Sequence, residues 1–178
     1  VASSKFSDKN ELMKIIPSYD GAIITSNIPF DRQVIDRANN LKVISRFGVG
    51  FDRIDVSAAT ERDIYVTNTP VLTNTVADLV FGLIFAVARN ISIADAYIKS
   101  GSWKEREERT KFTGFDISEK ALGIIGLGRV GSLVAKRALG FDMSVSYYDV
   151  IRYKELEASM HITFCSLKEV LAHSDIIS

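Results

Sequence analysis

Cysteine and proline are scarce in this sequence: its 178 residues contain one Cys and three Pro. The single cysteine, Cys165, cannot form an internal disulfide, which excludes the disulfide framework of small secreted domains. A reducing location, the cytoplasm, is therefore expected. Because 47% of the residues are hydrophobic, the chain has enough apolar material for a core and needs no metal to fold.

An excess of charge of one sign is also absent. Lys and Arg number 22, Asp and Glu number 22, and the formal net charge is zero. This balance gives no indication of a nucleic-acid-binding surface or of attraction to an anionic membrane. The longest apolar run, 79–88, is shorter than the ~20 residues of a membrane-spanning helix. Neither nucleic acid nor a membrane is therefore expected as a partner.

Short β-branched runs alternate with helical periodicity along the chain, which is typical of βαβ units and a parallel sheet. The pattern predicts a first series of alternating strands and helices, then one long helix from Thr75 to Ser100 and a solvated loop or arm at 104–111. A second alternating series of strands and helices follows. The predicted helices of the two series are 7–16, 31–38, 56–62, 130–139, 154–159 and 166–172. The predicted strands are 22–25, 41–45, 64–67, 121–125, 144–148, 161–164 and 175–177.

The two ends of the sequence suggest a piece of a longer polypeptide. No Met opens the chain, and the last residues, 175–178, have the pattern of a buried strand that is just beginning. We therefore expect both domains to be incomplete. The expected division is 1–72 for a first domain, 73–100 for a linking helix and 101–178 for the first part of a second domain.

The strongest motif is a glycine pattern at 126–131. Gly126, Gly128 and Gly131 fit G-x-G-x-x-G between a predicted strand and a predicted helix, and Asp149 ends the next strand 18 positions after Gly131. In a dinucleotide site the first glycine permits a tight turn, the second lets the pyrophosphate approach and the third lets helix and strand pack closely. The alternative is a ligand-free βα turn in which Asp149 caps a loop.

The helix that follows this turn would supply backbone N–H groups to the phosphates, and Arg129 and Val130 lie where those amides are expected. Asp149 can accept hydrogen bonds from the adenosine ribose and would repel the additional phosphate of NADP. NAD is therefore preferred to NADP as the cofactor. Arg152 is a counter-argument, since a guanidinium so close to Asp149 could hold that phosphate.

Several motifs in a fixed order then point to a family. They are the segment LKVISRFGVGFD at 41–52, Ile54-Asp55, VTNTP at 66–70, VAD at 76–78, the glycine motif and Tyr148-Asp149. Together they resemble the D-isomer-specific 2-hydroxyacid dehydrogenases. The resemblance implies an α/β fold of two Rossmann-like parallel-sheet domains, one flavodoxin-like and one NAD-binding. It also implies a homodimer whose active site lies in the cleft between the two domains. The activity that it implies is that of an oxidoreductase, which moves hydride between NAD(P)H and C2 of a 2-keto acid.

The resemblance assigns roles to a second glycine loop. It implies that Gly48, Val49 and Gly50 bind the substrate carboxylate through their amides and that Val49 also touches the nicotinamide. Without the resemblance, this loop would be an ordinary turn between a strand and a helix. The long helix from Thr75 corresponds to the interdomain and dimer helix of the family.

The catalytic groups of the family are not assigned to any residue of this chain. The family uses an Arg, a Glu and a general-acid His in motifs that would follow residue 178. His161 is predicted to begin a strand and His173 to close a helix, so neither corresponds to the catalytic acid. No metal ligand is predicted.

The sequence departs from the family pattern at two places. The segment between Pro70 and Val76 is one residue shorter than in family members, and Thr25 stands where phosphoglycerate-specific members have an arginine. A small keto acid such as glyoxylate or hydroxypyruvate is therefore the expected substrate. Two alternatives stay open: D-3-phosphoglycerate dehydrogenase, and an NAD-sensing corepressor-like binding protein that needs no catalysis.

Overall fold

The structure, a computed structural model, describes residues 8–25 and 28–178. The chain forms two compact units, Val1–Leu72 and Thr73–Ser178. In the described part of the first unit, three parallel strands lie in the order β1-β2-β3. They are β1 (Gly21–Ile24), β2 (Val43–Arg46) and β3 (Tyr65–Asn68). The helices are α1 (Lys9–Ile15), α2 (Arg32–Arg37) and α3 (Val56–Glu61), with a 3₁₀ helix at Ile16–Ser18.

Aspartate side chains determine where the helices of the first unit begin. Asp8 accepts hydrogen bonds from the amides of Asn10 and Glu11, Asp31 accepts one from Val34 and Asp55 accepts one from Ala58. Such N-caps satisfy amides that have no partner within the helix. Local sequence signals therefore place these helices within a residue or two of their predicted starts.

The core of the first unit lies on one face of its sheet. Ile24 and Ile44 point to this face, where they are buried against Val34 and Ile35 of α2. On the opposite face Ile23 is 77% exposed. The prediction of a fully buried first strand was therefore wrong for one face, because the described helices of this unit cover only the other.

The second unit has a four-stranded parallel sheet in the order β6-β5-β4-β7. Its strands are β4 (Ala121–Ile125), β5 (Ser144–Tyr148), β6 (Thr163–Phe164) and β7 (Ile176–Ile177). Its helices are α4 (Thr73–Ala88), α5 (Ile91–Lys99), α6 (Arg129–Leu139), α7 (Lys154–Met160) and α8 (Leu167–His173). The sheet and the helices bury a core that includes Leu122, Ile124 and Tyr147. The expected α/β class with parallel sheets is confirmed.

Helix α4 packs on α6 through apolar and polar contacts. Ala77 and Phe81 are buried, and the Phe81 ring stacks on Phe141 with their centroids 5.3 Å apart. The Arg137 guanidinium of α6 donates a 2.7 Å hydrogen bond from Nε to Asp78 of α4. These contacts place α4 beside the helix that follows the glycine motif.

The prediction of one continuous helix from Thr75 to Ser100 was wrong. Helix α4 ends at Ala88, Asn90 has left-handed backbone angles, and α5 continues at 64° to α4. Asn tolerates this conformation, and the Ala88 carbonyl accepts a 2.8 Å hydrogen bond from the amide of Phe115. A Cβ on Gly114 would overlap that carbonyl oxygen, so the segment after α5 approaches the end of α4 closely. This long-range contact leaves no recognisable signal in the helical periodicity.

The segment 104–111, predicted as a solvated loop or arm, has mostly exposed side chains among those described, but it forms a 3₁₀ helix, Arg106–Phe112, rather than a loop. The Phe112 ring, just beyond the predicted segment, packs on Tyr97 of α5 at 5.0 Å between centroids. One further prediction needs correction. His161 does not begin a strand: it ends α7 in the left-handed conformation, and β6 begins two residues later at Thr163. Among the described helices, none alone has the length and apolar character to cross a membrane; only the bent pair of α4 and α5 together would meet that test.

Candidate functional site

The glycine motif forms the turn between β4 and α6. Gly126 has a φ of +94°, which L side chains rarely adopt, and its amide donates a 2.8 Å hydrogen bond to the carbonyl of Tyr148. This bond joins the turn to the end of β5. The turn therefore lies at the carboxyl edge of the parallel sheet, where open α/β folds bind their ligands.

The three glycines of the motif have different surroundings. A Cβ on Gly131 would overlap the carbonyl oxygen of Gly126 and lie 3.3 Å from the Cγ2 of Ile124. Among the described residues other than the adjoining ones, no atom lies within 4 Å of a Cβ built on Gly126 or on Gly128. Gly131 thus permits close packing of α6 on β4, while the outer side of the turn has open space for a ligand.

Within the described part of the chain, the N-terminus of α6 has unused hydrogen-bond donors. Its N-cap is Gly128, which has no side chain to cap the helix, and the amide of Ser132 makes the first bond back to Gly128 at 2.9 Å. The amides of Arg129, Val130 and Gly131 precede that bond. With the positive end of the helix dipole, they form a site suited to phosphate.

Asp149 lies next to the turn, as the spacing predicts, and its carboxylate also accepts backbone hydrogen bonds, which is the loop-capping contact of the ligand-free alternative. One carboxylate oxygen accepts a 2.7 Å hydrogen bond from the amide of Leu127 in the turn, and the other accepts a 3.1 Å bond from the amide of Ile151. The carboxylate therefore connects the turn to the segment after β5. Each oxygen has a further lone pair with which it can accept a hydrogen bond.

Arg152, the residue considered as a phosphate ligand, forms a bidentate ion pair with Glu157 of α7. Its Nε and Nη2 atoms donate to the two carboxylate oxygens at 3.0 and 2.8 Å. These hydrogen bonds lower the pKa of Glu157 and raise the pKa of Arg152. The pairing partner, Glu157, was missed from the sequence, where it resembles any exposed helical glutamate.

Aromatic residues also contact this ion pair. The hydroxyl of Tyr147 donates a 2.9 Å hydrogen bond to Glu157 and accepts a 2.8 Å bond from the amide of Tyr153. The Arg152 guanidinium carbon lies 5.4 Å from the centroid of the Phe164 ring, within the range of cation–π attraction. Several contacts therefore connect the segment after Asp149 to β5, β6 and α7.

The second glycine loop, 47–50, follows β2 in the first unit. Gly48 has a φ of +141°, and its amide donates a 2.8 Å hydrogen bond to the hydroxyl of Thr69. The amide of Thr69 in turn donates to the Gly48 carbonyl at 3.0 Å. The loop is thus fastened to the chain directly after β3.

Two side chains fix the remainder of this loop. Asn68 donates a 2.8 Å hydrogen bond to the carbonyl of Val49, and the Nε of Arg46 donates a 3.2 Å bond to the carbonyl of Gly50. Within the described residues, no hydrogen bond uses the amides of Val49 and Gly50, so these amides stay available to a ligand. Such amides suit a carboxylate ligand.

The remaining chemically active side chains offer no competing centre. His161 and His173 are exposed at helix ends. Partial burial raises the pKa of the Cys165 thiol, which makes the reactive thiolate scarcer. Within residues 8–25 and 28–178, no group of three His, Cys, Asp or Glu side chains could hold a metal ion.

Comparison with known proteins gives a family match over most of the chain. A family profile described as D-isomer specific 2-hydroxyacid dehydrogenase, catalytic domain, matches residues 1–175. A glyoxylate reductase of Korarchaeum cryptofilum is 39% identical over 171 residues, which are 96% of this chain and 52% of the relative. The chain spans about half the length of the curated relatives it matches.

Solved structures agree as well. The TT0316 protein from Thermus thermophilus has a TM-score of 0.89 at 39% identity, covering 98% of this chain and 54% of that one. D-lactate dehydrogenase from Aquifex aeolicus, complexed with NAD and lactic acid, has a TM-score of 0.80 at 26% identity, covering 93% and 49%. With its sequence motifs, parallel sheets and profile match, the chain belongs to the D-isomer specific 2-hydroxyacid dehydrogenase family.

Proposed function

We propose that the full-length protein containing this chain is an NAD-dependent D-2-hydroxyacid dehydrogenase that acts on a small 2-keto acid of the glyoxylate or hydroxypyruvate type. The observation that carries the proposal is the open glycine turn at the N-terminus of α6 with the carboxylate of Asp149 beside it. Curated relatives named glyoxylate reductase support the substrate class.

The cofactor site would use both the backbone and one side chain of the second unit. The amides at Arg129, Val130 and Gly131 would bind the pyrophosphate, which approaches over the uncovered faces of Gly126 and Gly128. Asp149 would accept hydrogen bonds from the adenosine ribose. The chemistry that a bound nicotinamide supplies is hydride exchange with C2 of the substrate.

The substrate site would use the loop of the first unit. The unused amides of Val49 and Gly50, with that of Gly48 alongside, would orient the carboxylate of the keto acid, and Val49 would also contact the nicotinamide. Thr25, which is exposed at the end of β1, provides no cation for a second anionic group. This favours a singly charged keto acid over a phosphorylated one.

The proton for the developing alkoxide would come from the remainder of the full-length polypeptide. An Arg, a Glu and a His of the family motifs are proposed there, because His161 and His173 lie at exposed helix ends in this chain. Arg would bind the substrate, and Glu would stabilise the protonated His. A cytoplasmic location is proposed on the basis of the lone Cys165.

A homodimer is proposed with α4 and α5 at the subunit interface. A series of large apolar side chains on these two helices is solvent-exposed in the chain, with Val87 at 74%. The members of this series are Val76, Leu79, Leu83, Val87, Ile91, Ile93 and Ile98. Exposed apolar side chains in this number are typical of a protein–protein interface. Sedimentation of the full-length protein tests this assembly, and a monomer would contradict it.

The activity is tested by following NADH oxidation by the full-length protein with glyoxylate, hydroxypyruvate and phosphohydroxypyruvate. We expect turnover with the first two and weak turnover with the third. Preference for phosphohydroxypyruvate would instead favour a phosphoglycerate dehydrogenase. Binding of NADH without turnover of any short 2-keto acid would indicate a dinucleotide-sensing protein and would refute the enzymatic proposal.

A further inference from the structure

Glu157 lies eight residues after Asp149, the acidic residue that follows β5, and its contacts suggest a role in the choice between NAD and NADP. We propose that Glu157 is a specificity-determining residue: by holding Arg152 in an ion pair, it prevents that guanidinium from binding the 2′-phosphate of NADP. This inference rests on the proposed dinucleotide site and extends it to a residue outside the glycine motif.

The position of Arg152 makes it the natural phosphate ligand of this site. It follows Asp149 by three residues, on the segment that leaves the carboxyl end of β5. In dinucleotide-binding folds the acidic residue at this place binds the ribose 2′-hydroxyl, and a nearby arginine accommodates the 2′-phosphate when NADP is the cofactor. A guanidinium also matches the geometry of a phosphate group. An unpaired Arg152 would therefore favour NADP.

The structure shows that Arg152 is not unpaired. Both carboxylate oxygens of Glu157 accept hydrogen bonds from its guanidinium, at 3.0 and 2.8 Å. The Glu157 side chain is only 16% exposed, whereas that of Arg152 is 53% exposed. The less exposed partner, Glu157, is thus the fixed member of the pair, and Arg152 is the member that could turn toward a ligand.

Other contacts explain why Glu157 stays in place. The hydroxyl of Tyr147, whose side chain is fully buried, donates to the same Oε1 atom that accepts from Arg152 Nε. The ring of Phe164 contacts the same guanidinium. Moving Arg152 to a phosphate would break a bidentate ion pair and leave a carboxylate without its cation, a loss that opposes NADP binding.

The test compares charge-removing variants of the full-length protein. Glu157→Gln keeps an oxygen that can accept from Tyr147 but removes the charge that holds Arg152. Glu155→Gln is the matched control, because Glu155 lies in the same first turn of α7 and, within the described residues, its side chain forms no hydrogen bond or ion pair. Arg152→Ala is combined with Glu157→Gln to test whether the effect acts through the guanidinium.

Binding of NAD⁺ and of NADP⁺ to each variant is measured by titration calorimetry, with thermal unfolding as a check of folding. We expect Glu157→Gln to bind NADP⁺ about tenfold more tightly than the unaltered protein, the size of one charge-assisted hydrogen bond. NAD⁺ affinity should stay within about twofold. Glu155→Gln should leave both affinities unchanged, and Arg152→Ala should abolish the gain.

Failure of the inference differs from failure of the proposed function. If NAD⁺ binds normally but Glu157→Gln gains no affinity for NADP⁺, or if Glu155→Gln gains as much, the role of Glu157 is refuted. The same holds if the gain survives Arg152→Ala. If the unaltered protein binds neither dinucleotide, the proposed site itself is refuted, and the inference with it.

Discussion

Replacement of Gly131 by alanine tests the packing of the glycine turn. In a helix, alanine is ordinarily more stable than glycine by about 0.5–1 kcal/mol. At this position, however, the new Cβ would overlap the backbone carbonyl of Gly126, which cannot rotate away as a flexible side chain could. Overpacking of this kind costs about 1–3 kcal/mol. The substitution is therefore expected to be destabilising rather than stabilising.

The net loss is about 1–2 kcal/mol, which corresponds to roughly 5–10 °C in Tm for a cooperative unit of about 100 residues. NAD affinity should fall too, because relief of the overlap must displace either the turn or the start of α6. The assay is thermal unfolding of the full-length protein together with NAD⁺ titration. A Tm equal to or above that of the unaltered protein would refute the close packing of α6 on the turn.

Gly128→Ala is the matched control for this experiment. Gly128 has a φ of −68°, and no atom lies within 4 Å of its added Cβ. The stability should therefore change by less than about 0.5 kcal/mol. The Cβ would nevertheless occupy the side of the turn from which the pyrophosphate is proposed to approach, so NAD affinity should fall about tenfold. Loss of stability without loss of affinity would contradict the proposed site.

Three further outcomes are expected. Asp149→Ala should weaken NAD⁺ at least about tenfold and NADP⁺ less, by calorimetry, and equal losses would show that the carboxylate does not recognise the ribose. Hydrogen bonds from the Ser166 hydroxyl and amide lower the pKa of Glu169 in the folded protein below its unfolded value. This contact between Glu169 and Ser166 therefore stabilises the protein at pH values above the unfolded pKa, and the stabilisation is lost as the pH falls through the folded pKa. Urea unfolding at several pH values should show that the destabilisation by Glu169→Ala fades in acid, and a destabilisation that stays constant would contradict this. A double-mutant cycle on Arg137 and Asp78 should give a coupling of about 0.5–1 kcal/mol, because the pair is partly exposed, and zero coupling would show that the pair does not hold α4 to α6.

Local signals predicted most of the secondary structure. The strands 121–125 and 144–148 were predicted with the bounds that the structure has, because β-branched and aromatic runs bounded by turn residues identify them. The capping box of Ser166 and Glu169, which begins α8, is a local feature of the same kind, since both partners lie within one turn. The glycine turn is a local motif too, and its spacing to Asp149 follows from one βαβ unit.

The contacts that the sequence did not reveal join residues far apart in the chain. The amide of Phe115 donates a hydrogen bond to the carbonyl of Ala88, 27 positions earlier in the chain, and helps to end α4 there. The hydroxyl of Thr69 accepts a hydrogen bond from the amide of Gly48, 21 positions earlier. Such pairs carry no periodic signal, because either residue fits its own segment equally well without the other.

The amino-acid sequence by itself thus determined the alternating α/β elements, the family and the glycine turns, since each depends on neighbours within a few residues or on one repeated unit. The tertiary structure decided how these parts are held: Asp149 on the Leu127 amide, Glu157 on Arg152, and the bend between α4 and α5. The reason is that hydrogen-bond and ion-pair partners are selected by distance in space, which folding alone establishes.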